Sequence, residues 1–321
     1  MRFSRAPRFK SNPQFETPGP GAYAKPRCAR GPSWTIGRPR PRPEKPMPTG
    51  RPKPEKRMPM AVQPASSPPR LLGRVSCDDL TVKDVLGKGG LARVLLVQTD
   101  VLKEGKGLNV ALKCVFRPVL EDAQSLRAEA EIMERCSRGF DNIPKVLGWL
   151  ESDTGLTGFL LQACGPPLQV AAATMDVAEF TRALRALSGA ILHIHSMDLA
   201  HLDVKPPNLL SPRLSDLGMW RLAATDWMLA DFDAALVFKR PQPRIKHRMP
   251  GTFFYASNEA KRCDYVGTME DVYGFGISFQ EATGKGARLT PAEKQDLQSR
   301  LMPLTYPEAM RANLEDFRNT L

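Results

Sequence analysis

Hydrophobic and polar positions change rhythm near residue 165. Before that point the apolar residues come in short runs. Leu80-Thr81-Val82 and Val94-Leu95-Leu96-Val97 flank Leu86-Gly87-Lys88-Gly89-Gly90-Leu91-Ala92-Arg93. That stretch predicts a strand, a glycine turn and a second strand. Val110-Ala111-Leu112-Lys113 predicts another short strand, ending on a lysine. Residues 121–136 then carry a helical stripe of Leu126, Ala130 and Met133. Beyond residue 176 helical spacing takes over, with Phe180, Leu184, Leu187, Ile191 and Ile194 at steps of four and three. The pattern predicts an α+β chain, strand-rich first and helical afterwards.

Some of these elements carry candidate chemistry. A glycine turn between two strands lets backbone N–H groups close over phosphates without side-chain obstruction, whereas a dinucleotide-binding loop would lead into a helix. A lysine at the end of an apolar strand calls for an anion, because strand interiors rarely hold an unpaired charge. Within residues 121–136, Glu129 stands beside the apolar stripe, where it could reach Lys113, and Glu131 is the competing choice.

Composition divides the chain again. Residues 1–70 hold 16 Lys+Arg against 3 Asp+Glu, and 17 of the 30 prolines. The remainder holds 30 basic and 31 acidic residues, so the net charge of +12 belongs to the N-terminal segment. Such a tail cannot bury enough apolar surface to offset its ordering entropy, while the following 250 or so residues can. Six widely spaced cysteines form no CxxC pair, which argues against a zinc or redox motif and for reduced thiols. No apolar run approaches the roughly 18 residues of a membrane span, and the basic start is followed by no apolar signal core. A cytoplasmic or nuclear location is the expectation. The basic tail would attract a polyanion such as nucleic acid, acidic lipid or a microtubule surface. Its Thr17-Pro18-Gly19-Pro20-Gly21-Ala22-Tyr23 and Gly31-Pro32-Ser33-Trp34-Thr35-Ile36-Gly37 resemble one unit of the sperm-tail PG-rich repeat of microtubule-associated proteins.

The most informative stretch is His201-Leu202-Asp203-Val204-Lys205-Pro206-Pro207-Asn208. It resembles the catalytic loop of eukaryotic protein kinases, HRDxKxxN. The turn at Leu86–Val94 and Val110–Lys113 precede it as the family's glycine loop and lysine strand would. Ala230-Asp231-Phe232-Asp233 follows in place of the DFG triplet. Gly251-Thr252 and Tyr255-Ala256-Ser257-Asn258-Glu259 resemble the GT…APE segment. Asp271–Gly276 and Glu281–Gly284 resemble the helix that anchors the catalytic loop, and Arg311 stands where a late arginine pairs with Glu259.

The resemblance implies a bilobal protein-kinase fold over residues 76–321, after a disordered tail at 1–75. The small lobe would span about 76–162 and the large lobe about 165–321. ATP and Mg²⁺ are the implied cofactors, and Ser/Thr side chains of proteins the substrates. Asp203, Lys205 and Lys113 are the implied catalytic residues, with Asp203 accepting the hydroxyl proton and Lys205 neutralising the transferred phosphoryl group. Asn208 and Asp231 would hold the metal. Leu86, Gly87, Lys88, Gly89, Gly90, Leu91, Ala92, Val94, Ala111, Lys113, Glu129, Leu161 and Cys164 would line the ATP site, with Leu161 at its back and residues 162–164 meeting adenine.

Four departures from the family pattern stand out. Leu202 replaces the arginine that often binds an activation-loop phosphate, and Ala234–Pro250 contains no Ser, Thr or Tyr. Both imply activity independent of phosphorylation there. Asp233 replaces a glycine and adds charge near the metal site. Residues 211–226 read as a surface insertion. The segment after Thr283 is short, so the large lobe's usual substrate-docking helix is expected to be shortened or missing. A pseudokinase scaffold, targeted by the basic tail, is the alternative.

Overall fold

The computed structural model describes residues 74–75, 79–89, 92–100, 102, 107–116, 120–151, 156–212, 224–238, 244–245, 251–262, 266–307 and 311–321. The tail with its repeat-like unit, Gly90, Leu91 and the middle of the expected insertion lie outside these residues.

The small lobe is one six-stranded sheet and a helix. Its strands are β1 (Arg74–Val75), β2 (Leu80–Lys88), β3 (Arg93–Thr99), β4 (Leu108–Phe116), β5 (Val146–Glu151) and β6 (Leu156–Leu161), with α1 (Leu120–Ser137) between β4 and β5. The order across the sheet is β1-β5-β6-β4-β3-β2. β1 lies inside the segment expected to be tail: Arg74 and Val75 pair in parallel with Trp149 and Leu150.

Alternation on β4 decides where its lysine goes. Val110, Leu112 and Cys114 join one apolar cluster with Leu95, Val97 and Leu160, on the face away from the cleft. Ala111 and Val115 join the main core with Leu126, Ala130 and Met133 of α1. Lys113 shares the second face, so a slip of one residue would turn it away from α1. The register is held by close packing: a Cβ at Gly158, opposite Cys114, would come within 2.4 Å of the Lys113 carbonyl oxygen.

The large lobe begins with α2 (Leu168–Ala171) and α3 (Val177–Ser196). Asp176 caps α3 by accepting the Glu179 N–H at 2.9 Å, a contact worth about 1 kcal/mol. Phe180, Leu184, Leu187, Ile191 and Ile194 are all buried. Three short antiparallel pairs follow: β7 (Leu199–Ala200) with β10 (Leu236–Val237), β8 (Leu209–Leu210) with β9 (Met228–Leu229), and β11 (Arg244–Ile245) with β12 (Val266–Gly267). Helices α4 (Asn258–Lys261), α5 (Thr268–Lys285), α6 (Pro291–Leu301) and α7 (Leu314–Asn319) complete the lobe. α5 places Val272, Phe275 and Phe279 in the main core against α3, and the Phe275 ring meets Phe317 of α7 at 6.2 Å. The two-lobed arrangement matches the fold that the sequence motifs imply.

The expected insertion is pinned at both ends. The Ser211 carbonyl accepts the Gly165 N–H, and the Ala224 N–H bonds to the Ala163 carbonyl, both at 2.8 Å. Ala224 is fully buried and packs with Cys164 and Met228. Ser211 and Ala224 at its boundaries therefore pack on the segment joining the lobes, while residues 213–223 between them lie outside the described residues.

Candidate active site

A cleft of about 980 Å³ lies between the sheet and the large lobe. Of the residues expected to bind ATP, Leu86, Gly87, Lys88, Gly89, Ala92, Val94, Ala111, Lys113, Glu129, Leu161 and Cys164 line it. Gly90 and Leu91 lie outside the described residues. The sheet register explains the grouping: Val94 is opposite Lys113, and Ala111 is opposite Leu161. Alternate residues of three neighbouring strands thus form an apolar wall with one lysine in it.

Lys113 donates to Glu129 Oε1 at 2.7 Å and to Asp231 Oδ1 at 2.5 Å. Glu129 is buried and Glu131 is exposed, so the helix face selects between the two glutamates that the sequence left open. Burial disfavours the charged lysine, but Glu129 and then Asp231 outweigh it and hold Lys113 protonated. Burial pushes Glu129 up to about 7 against the pull of the Lys113 ammonium. For Asp231 burial raises the pKa, and the lysine overcomes it and keeps the carboxyl below its ordinary value. Glu129 Oε1 also accepts the Phe232 N–H at 3.1 Å. One carboxylate of α1 therefore fixes both the strand lysine and the backbone after Asp231.

Across the cleft, Asp203 Oδ2 lies 2.6 Å from Lys205 Nζ, and Asp203 Oδ1 accepts the Thr252 N–H at 2.8 Å. Lys205 also donates to Thr252 Oγ1 at 2.9 Å. Asn208 Nδ2 donates to the Asp203 carbonyl at 2.9 Å and lies 3.4 Å from its Oδ2. Gly251 makes the approach of Thr252 possible. Its φ is +70°, and a Cβ there would sit 2.3 Å from the Leu202 carbonyl oxygen.

This loop is strained and anchored. Leu202 has φ 62° and Asp231 φ 69°, conformations that cost a non-glycine residue on the order of 1–3 kcal/mol. Asp271, fully buried on α5, accepts the N–H groups of His201 at 2.8 Å and Leu202 at 2.7 Å, and its Oδ2 lies 2.8 Å from His195 Nε2. His201 Nδ1 accepts the Asp203 N–H, so its Nε2 carries the proton and donates to the Ala230 carbonyl at 3.0 Å. Phe232 meets the His201 ring edge-on at 4.8 Å. Sequence reasoning placed Asp271 only on an anchoring helix. The one available signal was a carboxylate at the head of an apolar helix.

The donor set suits a hard cation. Carboxylate oxygens of Asp203, Asp231 and Asp233 lie within 4.8 Å of one another, and Asn208, Asp231 and Asp233 line the same cleft. With its amide nitrogen bound to Asp203, Asn208 offers its oxygen. Oxygen-only ligands of this kind fit Mg²⁺. Asp233 keeps much of its surface in solvent and adds to the acidic cluster, and partial loss of water around its carboxyl, followed by the neighbouring Asp231 charge, raises its pKa. At the far end, Arg311 reaches Glu259 Oε2 at 3.4 Å, the Met269 carbonyl at 2.6 Å and the Tyr306 carbonyl at 3.0 Å.

A family model described as protein kinase domain matches residues 80–315. Two curated Arabidopsis thaliana proteins are similar to the chain. Serine/threonine-protein kinase UCN is 26% identical over 182 residues, covering 54% of this chain and 43% of that protein. Serine/threonine-protein kinase UCNL is 25% identical over 186 residues, covering 56% and 42%. The matched segments span less than half the length of either relative. Among the described residues no helix is long and apolar enough to cross a membrane.

Proposed function

The chain belongs to the protein kinase domain family, and from that membership we propose that it transfers the γ-phosphoryl group of Mg-ATP to serine and threonine hydroxyls of proteins. One observation carries the reading. Two sets of polar side chains meet at one cleft: Lys113, Glu129 and Asp231 line it together, and so do Lys205 and Asn208, which both contact Asp203, whose carboxylate lies within 4.8 Å of those of Asp231 and Asp233. Catalysis of this kind is mostly positioning and electrostatics.

In this reading Asp203 receives the proton of the acceptor hydroxyl. Its Oδ1 is held by the Thr252 N–H, and the Lys205 ammonium lies against its Oδ2. Lys205 bridges to Thr252 and is placed to offset charge on the phosphoryl group in flight. Lys113, kept protonated, binds the inner phosphates. The backbone of Gly87, Lys88, Gly89 and Ala92 covers them, and Val94 and Ala111 pack on adenine with Leu161 at the back. Asn208 and Asp231 hold Mg²⁺, which when bound neutralises phosphate charge. The contacts among Lys205, Thr252 and Asp203, together with the names of the two relatives, support Ser/Thr over Tyr acceptors.

Activity is proposed not to need activation-loop phosphorylation. Leu202 is 6% exposed and packs with Ala200, Phe238, Ala260 and Val266, an apolar cluster where an arginine would seek a phosphate. No hydroxyl side chain occurs from Ala234 to Pro250. A second reading, a scaffold with the same fold, rests on Asp233, whose charge stands beside the proposed metal ligands.

The deciding experiment is phosphate transfer from Mg-ATP by the full chain to a mixed Ser, Thr and Tyr peptide pool, beside Asp203→Asn. Transfer that drops about 10²–10⁴-fold in the variant, yields phosphoserine or phosphothreonine and survives phosphatase treatment is expected. A folded wild-type chain that transfers nothing would leave the scaffold reading.

A further inference from the structure

α3 buries one face and leaves the other uncovered. Phe180, Leu184, Leu187, Ile191 and Ile194 fill the core side. The outer face of a surface helix ordinarily carries polar and charged side chains throughout. On α3 that face is interrupted by Ala178, Ala186, Gly189 and Leu192, and a groove of about 870 Å³ runs over it. Phe140, from the loop between α1 and β5, and Arg318 of α7 also line the groove. It shares no lining residue with the cleft between the lobes.

The charges of this groove are unequally satisfied. Arg182 has partners within the chain: it donates to Asp226 Oδ1 at 3.1 Å and to the Thr225 carbonyl at 2.9 Å. Arg185 and Arg318 are exposed, and among the described residues no carboxylate pairs with either guanidinium, Glu315 of the same groove included. Arg318 is nevertheless held in place. Its Nε donates to the Arg185 carbonyl at 3.4 Å, and its Nε, Cζ and Nη2 lie 3.6–3.9 Å from where a Cβ of Gly189 would stand. The guanidinium rests on α3 where the helix has no side chain. One turn further on, the Phe140 and His193 rings are stacked at 4.1 Å and parallel to within 1°. His193 Nε2 donates to the Cys136 carbonyl at 2.9 Å, which fixes the stack as a rigid wall next to Leu192.

We propose that this groove docks an acidic segment of a partner protein, with carboxylates on Arg185 and Arg318 and a large apolar side chain against Phe140 and Leu192. The planar guanidinium fork matches a carboxylate, and two such forks without a partner leave positive charge for a ligand to neutralise. Apolar surface alone would not choose among partners. The unpaired arginines do, and the sign of their charge selects an acidic one. From Arg182 to His193 α3 advances about 16 Å. An extended peptide covers that distance with about five residues at roughly 3.3 Å each, so both kinds of anchor fall on one short segment. A protein held there stays close to the chain at raised effective concentration while the cleft is left open.

The test uses the full chain without ATP. The probes are fluorescein-labelled Gly-Ser peptides that carry Glu-Glu and one Leu, separated by one to four residues. Matched peptides carry Gln-Gln, Lys-Lys or a single phosphoserine in place of Glu-Glu. By fluorescence anisotropy at low salt, the Glu-Glu peptide of best separation should bind about tenfold more tightly than its Gln-Gln partner, since an exposed ion pair contributes about two- to fivefold and two are formed. Added salt should shrink that ratio. R185E/R318E should abolish the preference for Glu-Glu and transfer it to Lys-Lys. R185Q alone should weaken Glu-Glu binding about two- to fivefold and serves if the double variant does not fold. Amide exchange should slow in α3 and α7 when the Glu-Glu peptide binds.

Equal binding of the Glu-Glu and Gln-Gln peptides, or a preference that survives in R185E/R318E, would overturn the docking site. Tighter binding of the phosphoserine peptide would overturn it in favour of a phosphorylated partner. A wild-type dimer that R185E/R318E dissolves would overturn it in favour of a second copy of the chain. Selective Glu-Glu binding by a chain that transfers no phosphate would support the docking site and remove the kinase reading.

Discussion

The catalytic loop and the segment after Asp231 lie against each other and are held by opposite means. The loop is held by polar contacts: the buried Asp271 carboxylate takes one of its N–H groups on each oxygen, and His195 stands on the oxygen that takes the His201 N–H. The following segment is held by apolar contacts: Phe238, Leu202, Ala260 and Val266 form one small cluster, and β10 pairs with β7 for two residues. Leu202 belongs to both systems. Its backbone answers to Asp271 and its side chain to Phe238. A buried polar anchor fixes direction and strain, because each unpaired donor is costly. An apolar cluster fixes position by removing surface from water.

The largest effect expected is loss of the polar anchor. Asp271→Ala leaves two buried N–H groups without an acceptor, a cost of about 2–6 kcal/mol. Chemical denaturation should show that loss, and transfer should vanish. A stable, active variant would mean that the loop does not depend on its anchor. Phe238→Ser should come next, with about 3 kcal/mol of local stability lost. The Phe238 N–H, bound to the Asp198 carbonyl at 2.7 Å, should then exchange about 10²-fold faster while ATP binding is kept. Unchanged exchange would show that the short strand pairing, not the cluster, holds the segment.

Acidity tests the Lys113–Glu129 pair, which is polar like the anchor but sits in the cleft. Glu129 has a raised pKa of about 7, so the carboxylate is complete above that value and gains a proton below it. Activity should therefore fall as pH drops through about 7, and Glu129→Gln should abolish that limb along with most of the rate. For folding the sign is reversed. The folded state holds the extra proton between the ordinary value of 4.5 and about 7, so this group's contribution to stability falls as pH rises through that window. A flat acid limb from pH 8 to 6 would contradict this placement. The smallest effect belongs to Asp233. Asp233→Asn should raise stability without metal by about 0.5 kcal/mol, after allowing for solvent screening. It should also lessen the stabilisation gained on adding Mg²⁺, as thermal unfolding with and without the ion would show. The direction follows from Asp233's raised pKa, since its ionised form is the disfavoured one in the folded chain.

Much of the site was legible in the chain because its residues come in short motifs. The lysine at the end of an apolar strand and the His201–Asn208 run each carry their chemistry within a few positions. Glu129 was legible only as one of two glutamates. The two are separated by which face of α1 meets Lys113, and that is a property of the β4 register. The pinned ends of residues 211–226 and the parallel pairing of Arg74 and Val75 depend on partners more than 45 residues away. Local spacing holds no sign of them. Asp271 acts through the backbone of residues 70 positions earlier and gives the same faint signal.

The sequence by itself determined the order of elements, the concentration of positive charge and proline in residues 1–70, and the identity of the charged groups in the cleft. These follow from periodicity, composition and short motifs, which are local properties. Only the tertiary structure decided which glutamate meets Lys113, that Leu202 packs in an apolar cluster with Phe238, Ala260 and Val266, and that Phe253 and Phe254 are exposed directly after Thr252. Each of those outcomes depends on which surfaces meet across long separations, and packing against a distant partner has no local signature.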